Sequence, residues 1–216
     1  MTLLDTAVGM TDTTAECRFC VHDGPTTGEN SIVLEHGNRA VATIGPLVPM
    51  WSLVLATTHV PATSWLSPDD REALFSDVTA LSVRLAQPRV FFFEHGASSE
   101  GSLTACTTAH AHVHVVPVNA DVIAHADRYF PLEGMWETVE ISDLDRFRSA
   151  DYLLAGELGG VVRLKVLHEP VSQYFRRVIA HLTGQPDRWN WRTHSICSDY
   201  SRTQLLLSSL ERPLDD

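Results

Sequence analysis

Residues 110 to 114 read His110-Ala111-His112-Val113-His114 and run on into the apolar Val115-Val116-Pro117. Strict alternation with apolar spacers places three imidazoles on one face of an extended strand. Neutral imidazole ligates metals, acts as a nucleophile and shuttles protons near neutral pH, so one such strand supplies several reactive groups at fixed spacing. The competing reading is a half-buried strand whose polar face happens to be histidine, a residue seldom chosen for a solvated face.

Around this strand the chain reads as a mixed α+β protein. Ser31-Ile32-Val33-Leu34 and Ala40-Val41-Ala42-Thr43 flank the turn signal Glu35-His36-Gly37-Asn38 and predict a hairpin. A third strand, Ser52 to Ala56, follows the loop containing Pro46 and Pro49. Ser67 before Pro68, with Asp69 and Asp70 behind it, is a helix start, because the hydroxyl caps free amides and the acids sit at the positive end. Leu74, Val78, Leu81 and Leu85 then recur at helical spacing and predict an amphipathic helix over 68–86. Strands follow at Val90–Phe93 and His112–Val118. The order of three strands, one helix and two strands points to an antiparallel α+β sheet rather than to repeated βαβ units.

Beyond Pro131, Tyr152–Leu154 and Val161–Val166 form a candidate hairpin. Val171, Tyr174, Phe175, Val178, Ile179 and Leu182 make the apolar stripe of a helix over about 171–183, with Gln173, Arg176, Arg177 and Ala180 on another face. Trp189-Asn190-Trp191 is expected to fold onto the body. Residues 1–14 read as a flexible leader, 15–120 as the main domain, 121–200 as an α/β extension packed on it, and 201–216 as a mobile tail.

Sixteen basic against 27 acidic residues give a formal charge of −11, which disfavours nucleic acid or an anionic membrane as the main partner. A small anion can still bind where basic groups are concentrated. No stretch approaches the roughly 20 apolar residues of a membrane span, and no basic region followed by an apolar core opens the chain, so a cytoplasmic location is the expectation.

Four cysteines are too few for a secreted disulfide framework. Cys17-Arg18-Phe19-Cys20 has the spacing that lets two thiolates hold one zinc ion from a tight turn. Completion needs two more ligands; His59 and the first histidine of the alternating run, His110, are the candidates, with His22 able to replace His59 and Cys197 a weaker substitute. A reduced thiol pair or a redox motif is the alternative, although the thioredoxin-like βαβ pattern expected beside a redox pair is missing.

The run His110 to Val116 resembles the signature of the histidine triad (HIT) superfamily of nucleotide hydrolases and transferases, over roughly residues 15–120. The resemblance implies a HIT-like antiparallel sheet with a packed helix, a homodimer, and a structural zinc ion on Cys17, Cys20, His59 and His110. It further implies that His112 attacks an α-phosphorus to give a nucleotidyl-histidine, with His114 orienting or polarising the phosphate. Thr107 matches a family hydroxyl that donates to the phosphate or the leaving group, a strand threonine being the plain alternative. Glu94-His95-Gly96 stands where many members carry Asn-Gly, so His95 is expected to bond phosphate or ribose, Gly96 to permit close approach, and Glu94 to contribute to the same site.

The Glu-His-Gly form and the stretches Gln173–Arg177 and Pro186–Arg192 resemble a bacterial HIT-like subgroup with a C-terminal extension. There Gln173 and Arg176 are candidates to clamp phosphate oxygens, unless they belong to a solvated helix face. Three positions depart from the common pattern. Thr43 stands where many members have the aspartate that holds ribose hydroxyls, Ala105-Cys106 replaces a Gly-Gln, and Trp51 replaces a frequent histidine. Trp51 is either a base-stacking residue or a core or dimer-interface tryptophan. The expected activity is hydrolysis of a nucleoside 5′-phosphoramidate or phosphoanhydride; a nucleotidyltransferase or phosphorylase, or a non-catalytic nucleotide sensor, are the alternatives.

Overall fold

The computed structural model describes residues 17–20, 31–105, 109–194 and 198–210. Eight antiparallel strands form one sheet: β1 (Ser31–Val33), β2 (Arg39–Ala42), β3 (Ser52–Leu55), β4 (Val90–Gly96), β5 (His112–Pro117), β6 (Glu137–Thr138), β7 (Tyr152–Glu157) and β8 (Arg163–Val166). Their spatial order is β1-β2-β3-β5-β4-β7-β8-β6. The sequence-predicted hairpins and the α+β class are therefore present, and the strands beyond residue 120 extend the same sheet through the pairing of β7 with β4.

Alternation along β4 and β5 sorts the core into two layers. Val90 and Phe92 of β4, with Val113 and Val115 of β5, face the helix α1 (Pro68–Arg84), whose Leu74, Val78 and Leu81 are buried against them. Ser67 caps this helix by accepting from the amide of Asp70 at 3.2 Å, and Pro68 occupies its first turn, where a missing N–H costs nothing. Phe91, Phe93, Val116 and Leu153 face the other way, against α2 (Val122–Tyr129) and α3 (Tyr174–Leu182). On that second face Val41, Leu53 and Leu55 lie beside Phe19 of the Cys-x-x-Cys turn.

The structure departs from the sequence reading in three elements. The helix expected over 171–183 starts later, because Gln173 takes a left-handed conformation (φ 55°) at its N-terminus. The short helix α2 was not anticipated, although Asp121 caps it with a 2.9 Å bond from the Ala124 amide. The expected tail from 201 is instead part of α4 (Ser198–Leu210), whose Thr203 and Leu207, one helical turn apart, are buried. Thr203 accepts from the amide of Met50 at 3.0 Å, tying this helix to the loop before β3.

Candidate active site and metal cluster

β5 lies between β3 and β4, and its register sets His114 across from Leu53 and Phe93, and His112 across from Leu55. His112 and His114 thus rise from the second face of the sheet, where Phe19 of the Cys-x-x-Cys turn packs beside Leu53, Leu55 and His112. His95 of β4 joins them, its ring centroid 6.3 Å from that of His114. The phenyl ring of Phe93 stacks flat on His114, with centroids 4.3 Å apart and planes at 10°.

Hydrogen bonds assign the protons on these three rings. A carbonyl only accepts, so His112 donates from Nδ1 to the main-chain oxygen of His110 at 2.7 Å, leaving the Nε2 lone pair of the neutral ring unprotonated. Trp51 can only donate; its Nε1 meets Nδ1 of His114 at 2.9 Å, so neutral His114 carries its proton on Nε2. The amide of Phe175 donates to Nε2 of His95 at 3.3 Å, which puts the His95 proton on Nδ1. Burial keeps the set neutral, pulling His112 down to about 4 and His95 down to about 3, and His114 well below the usual imidazole range. Each imidazole also disfavours charge on its neighbour.

Beside the triad, Cys17, Cys20, His59 and His110 bring one donor atom each to within 4.8 Å of one another, a group able to hold a metal ion. Sγ of Cys20 is 3.2 Å from Nδ1 of His59 and 3.4 Å from Nδ1 of His110; Sγ of Cys17 is 3.7 Å from Nδ1 of His110. The two Nδ1 atoms are 3.3 Å apart. His110 donates from Nε2 to the carbonyl of Ala56 at 2.8 Å, which leaves the Nδ1 lone pair for a metal. His110 therefore links the two centres: its ring enters the metal cluster and its carbonyl holds the ring of His112.

A pocket opens over His112, His114 and His95. Val41, Ala42, Ile44 and Leu53 give it apolar lining, and Thr43, Arg18, Phe19, Gln173, Arg176 and Trp191 complete it. No carboxylate lines it among the described residues. A chain with a net charge of −11 has thus gathered two guanidiniums and three imidazoles at one place.

Several sequence-predicted site residues lie elsewhere or do other work. Glu94 neighbours His95 on β4 and so points through the opposite face of the sheet, under α1. There it is 2 % exposed and accepts from the amide and hydroxyl of Thr63 at 2.7 and 2.5 Å and from the hydroxyl of Tyr152 at 2.9 Å. It cannot reach the pocket. Gly96 serves packing rather than ligand approach, because a Cβ there would overlap the ring of Tyr152.

Gln173 and Arg176 do line the pocket, yet both are buried struts and not a solvated helix face. Arg176 donates to the carbonyls of Trp189 (2.8 Å), Ile44 (3.4 Å) and Gly45, and lies 5.0 Å from the Trp51 ring. Gln173, oriented so that both amide atoms are satisfied, donates to the carbonyl of Trp189 at 3.2 Å and accepts from Arg192 at 3.1 Å. Together they tie the segment after α3 to the loop between β2 and β3. Thr107, Cys106, His22 and Cys197 lie outside the described residues.

No family model matches the chain, and no curated protein matches it. Function must therefore be read from the site itself. Sequence reasoning missed two of its residues, Arg18 and Trp191, and left Trp51 open between base stacking and the core. Trp51 is fully buried and orients His114 rather than stacking on a ligand. The spacing of the cysteines drew attention to the thiols and away from the arginine between them.

Proposed function

We propose that this protein is a nucleotide hydrolase of the histidine triad kind, cleaving a phosphoanhydride or phosphoramidate at an α-phosphorus through a nucleotidyl-histidine on His112. The observation that carries the reading is the pair of opposite tautomers on one strand. His112 presents the Nε2 lone pair while His114 presents an Nε2 proton. A nucleophile and a donor aimed from adjacent rings are what displacement at phosphorus requires.

In the first step Nε2 of His112 forms a bond to phosphorus as the bond to the leaving group breaks, and the leaving group departs with the electron pair, a phosphate as its anion and an amine after its nitrogen takes a proton from solvent. The positive charge that spreads over the His112 ring is met by the carbonyl of His110 at Nδ1–H. His114 Nε2–H and His95 Nδ1–H donate to phosphoryl oxygens as their charge grows. In the second step water adds to phosphorus, the N–P bond breaks, and the water proton leaves to solvent. The burial that keeps these rings neutral preserves the attacking lone pair down to about pH 4.

The metal proposed for the four-residue cluster is zinc in a structural role. Zinc–sulfur and zinc–nitrogen bonds of about 2.3 and 2.0–2.1 Å place tetrahedral ligand atoms roughly 3.3 Å apart for two nitrogens and about 3.5 Å for nitrogen and sulfur. The spacings here are 3.3 Å for the nitrogens and 3.2 to 3.7 Å for the mixed pairs. Four protein ligands would close the coordination shell of such an ion, which would then stabilise the turn and the His110 backbone without a position open to substrate.

Turnover in 18O-labelled water over a panel of adenosine phosphoramidate, adenylyl sulfate and diadenosine polyphosphates tests this reading. Label on the phosphate of the released nucleotide supports the hydrolase. Nucleoside diphosphate formed only when inorganic phosphate is added indicates a phosphorylase sharing the same intermediate. Absence of any turnover overturns the catalytic proposal.

A further inference from the structure

We propose that His125 and His181 form a second metal site, a two-imidazole chelate for a tetragonal divalent ion of the Ni2+ or Cu2+ kind where α2 packs on α3. The site shares no residue with the triad or with the cysteine cluster. Val122 and Ala126 of α2 are buried in one apolar cluster with Val178 and Ile179 of α3. Helical spacing then places His125 three residues after Val122 and His181 three residues after Val178, so each imidazole stands beside that seam. His125 is half-buried there and His181 is exposed.

Nε2 of His125 lies 2.9 Å from Nδ1 of His181. Tyr129 packs on both rings, its centroid 4.6 Å from His125 and 4.9 Å from His181, and Phe130 meets His181 edge-on at 5.6 Å. The outer nitrogens, Nδ1 of His125 and Nε2 of His181, have no hydrogen-bond partner among the described residues. Each ring can therefore carry its proton on the outside and turn a lone pair inward. Without an ion the approach is closed by an N–H···N hydrogen bond; a bound ion moves that one proton to the outer nitrogen of its ring.

The separation selects the coordination geometry. Two nitrogens about 2.0–2.1 Å from one ion lie about 2.9 Å apart at the right angle of a tetragonal ion, and roughly 3.3 Å apart at a tetrahedral one. His59 and His110 have the tetrahedral spacing of 3.3 Å, whereas His125 and His181 have the shorter one. Imidazole suits Ni2+ and Cu2+, and water fills the positions that two protein ligands leave open. His181 lies in the last turn of α3, whose negative end favours a cation. Arg128, 5.1 Å from the Tyr129 ring, opposes one through its charge at His125. Two ligands and that opposing charge make the site weaker than the four-residue cluster, so it empties on desalting.

Calorimetric titration of tag-free, zinc-loaded and desalted protein with Ni2+ tests the assignment in wild type, His125→Ala, His181→Ala and His112→Ala. Removing an outer-shell partner already costs a metal site about tenfold to a hundredfold in affinity, so loss of either imidazole should weaken Ni2+ binding by at least about tenfold. His112→Ala should bind Ni2+ as wild type does, which separates this pair from the triad. Far-ultraviolet circular dichroism of the His125 and His181 variants should match wild type. In wild type itself, the proton resonances of both rings should broaden with Ni2+ before those of His112 and His114, a readout that needs no variant to fold. No Ni2+ uptake by wild type overturns the proposal, as does wild-type affinity in either His125→Ala or His181→Ala, or broadening that begins at the triad.

Discussion

The indole N–H of Trp51 ends on Nδ1 of His114, 2.9 Å away, and so decides which nitrogen of that ring carries the proton. Trp51 sits just before β3 and His114 on β5, two strands that pair directly. Replacing Trp51 with Phe keeps an aromatic ring but removes the donor. Without it His114 is free to place its proton on Nδ1, and the Nε2 donor is lost. The expected result is a kcat lowered by about tenfold to a thousandfold, the scale of one transition-state donor. Nitrogen-15 chemical shifts of His114 should report a mixed tautomer in the variant; a pure Nε2–H form with unchanged kcat would count against the assignment.

His59 and His110 approach through Nδ1, and the cluster closes on four protein atoms. One metal ion per chain is the predicted stoichiometry by elemental mass spectrometry. His59→Ala and Cys20→Ser should each reduce metal content and lower Tm by several degrees. Since His110 also supplies the carbonyl that orients His112, activity should fall with metal content. A protein that remains metal-free at wild-type Tm and activity contradicts this.

Burial pushes the Glu94 carboxyl up to about 7 against the opposing bonds from Thr63 and Tyr152 and the charge of Arg71. Because the folded state holds this proton more tightly than the unfolded chain, the stabilisation is fully present below about pH 4.5 and is lost as pH rises toward 7. The slope is about 1.4 kcal/mol per pH unit for one proton. His95 has the opposite sign. Its ring, pulled down to about 3, favours folding at neutral pH and costs stability as pH falls below 6.5, when the unfolded chain binds the proton first. Glu94→Gln should therefore make the acid-side loss steeper by one proton between about pH 7 and 4.5, measured as urea midpoints against pH. Parallel curves for variant and wild type would refute a protonated Glu94.

Gly96→Ala places a methyl group where the Tyr152 ring lies, in the network of Tyr152, Thr63 and Glu94. Forcing that ring aside should cost about 1–3 kcal/mol by denaturant unfolding. Since Gly96 does not line the pocket, the folded fraction should bind AMP with wild-type affinity. An affinity loss with unchanged stability would restore the ligand-approach role suggested by the sequence.

What the sequence disclosed was what its periodicities encode. The period of two in the alternating run set His112 and His114 on one face of β5, whereas His110 lies before the strand and sends its ring into the metal cluster; Ser67 and Pro68 marked the start of α1 and its leucine spacing the end to within two residues. The same period of two, applied to β4, also separates Glu94 from His95; grouping both with Gly96 as one site overlooked it. Arg176 and Gln173 were readable as pocket residues but not as struts, because their partners are carbonyls of Ile44, Gly45 and Trp189, and a backbone carbonyl leaves no mark in a sequence. The pattern of α4, with Thr203 and Leu207 four apart, was visible but weak beside its polar neighbours. Tertiary contact with the loop before β3 gives it a place.

The most direct test of the nucleotidyl-histidine is intact mass of wild type and His112→Ala, quenched without acid after brief exposure to adenosine phosphoramidate, adenylyl sulfate or a diadenosine polyphosphate. Acid is avoided because a phosphorus–nitrogen bond to imidazole is acid-labile. The account predicts an adenylyl mass increment on wild type that maps to His112 and is missing from His112→Ala. An increment of the same size on the variant, or turnover by the variant at the wild-type rate, would show that His112 is not the nucleophile.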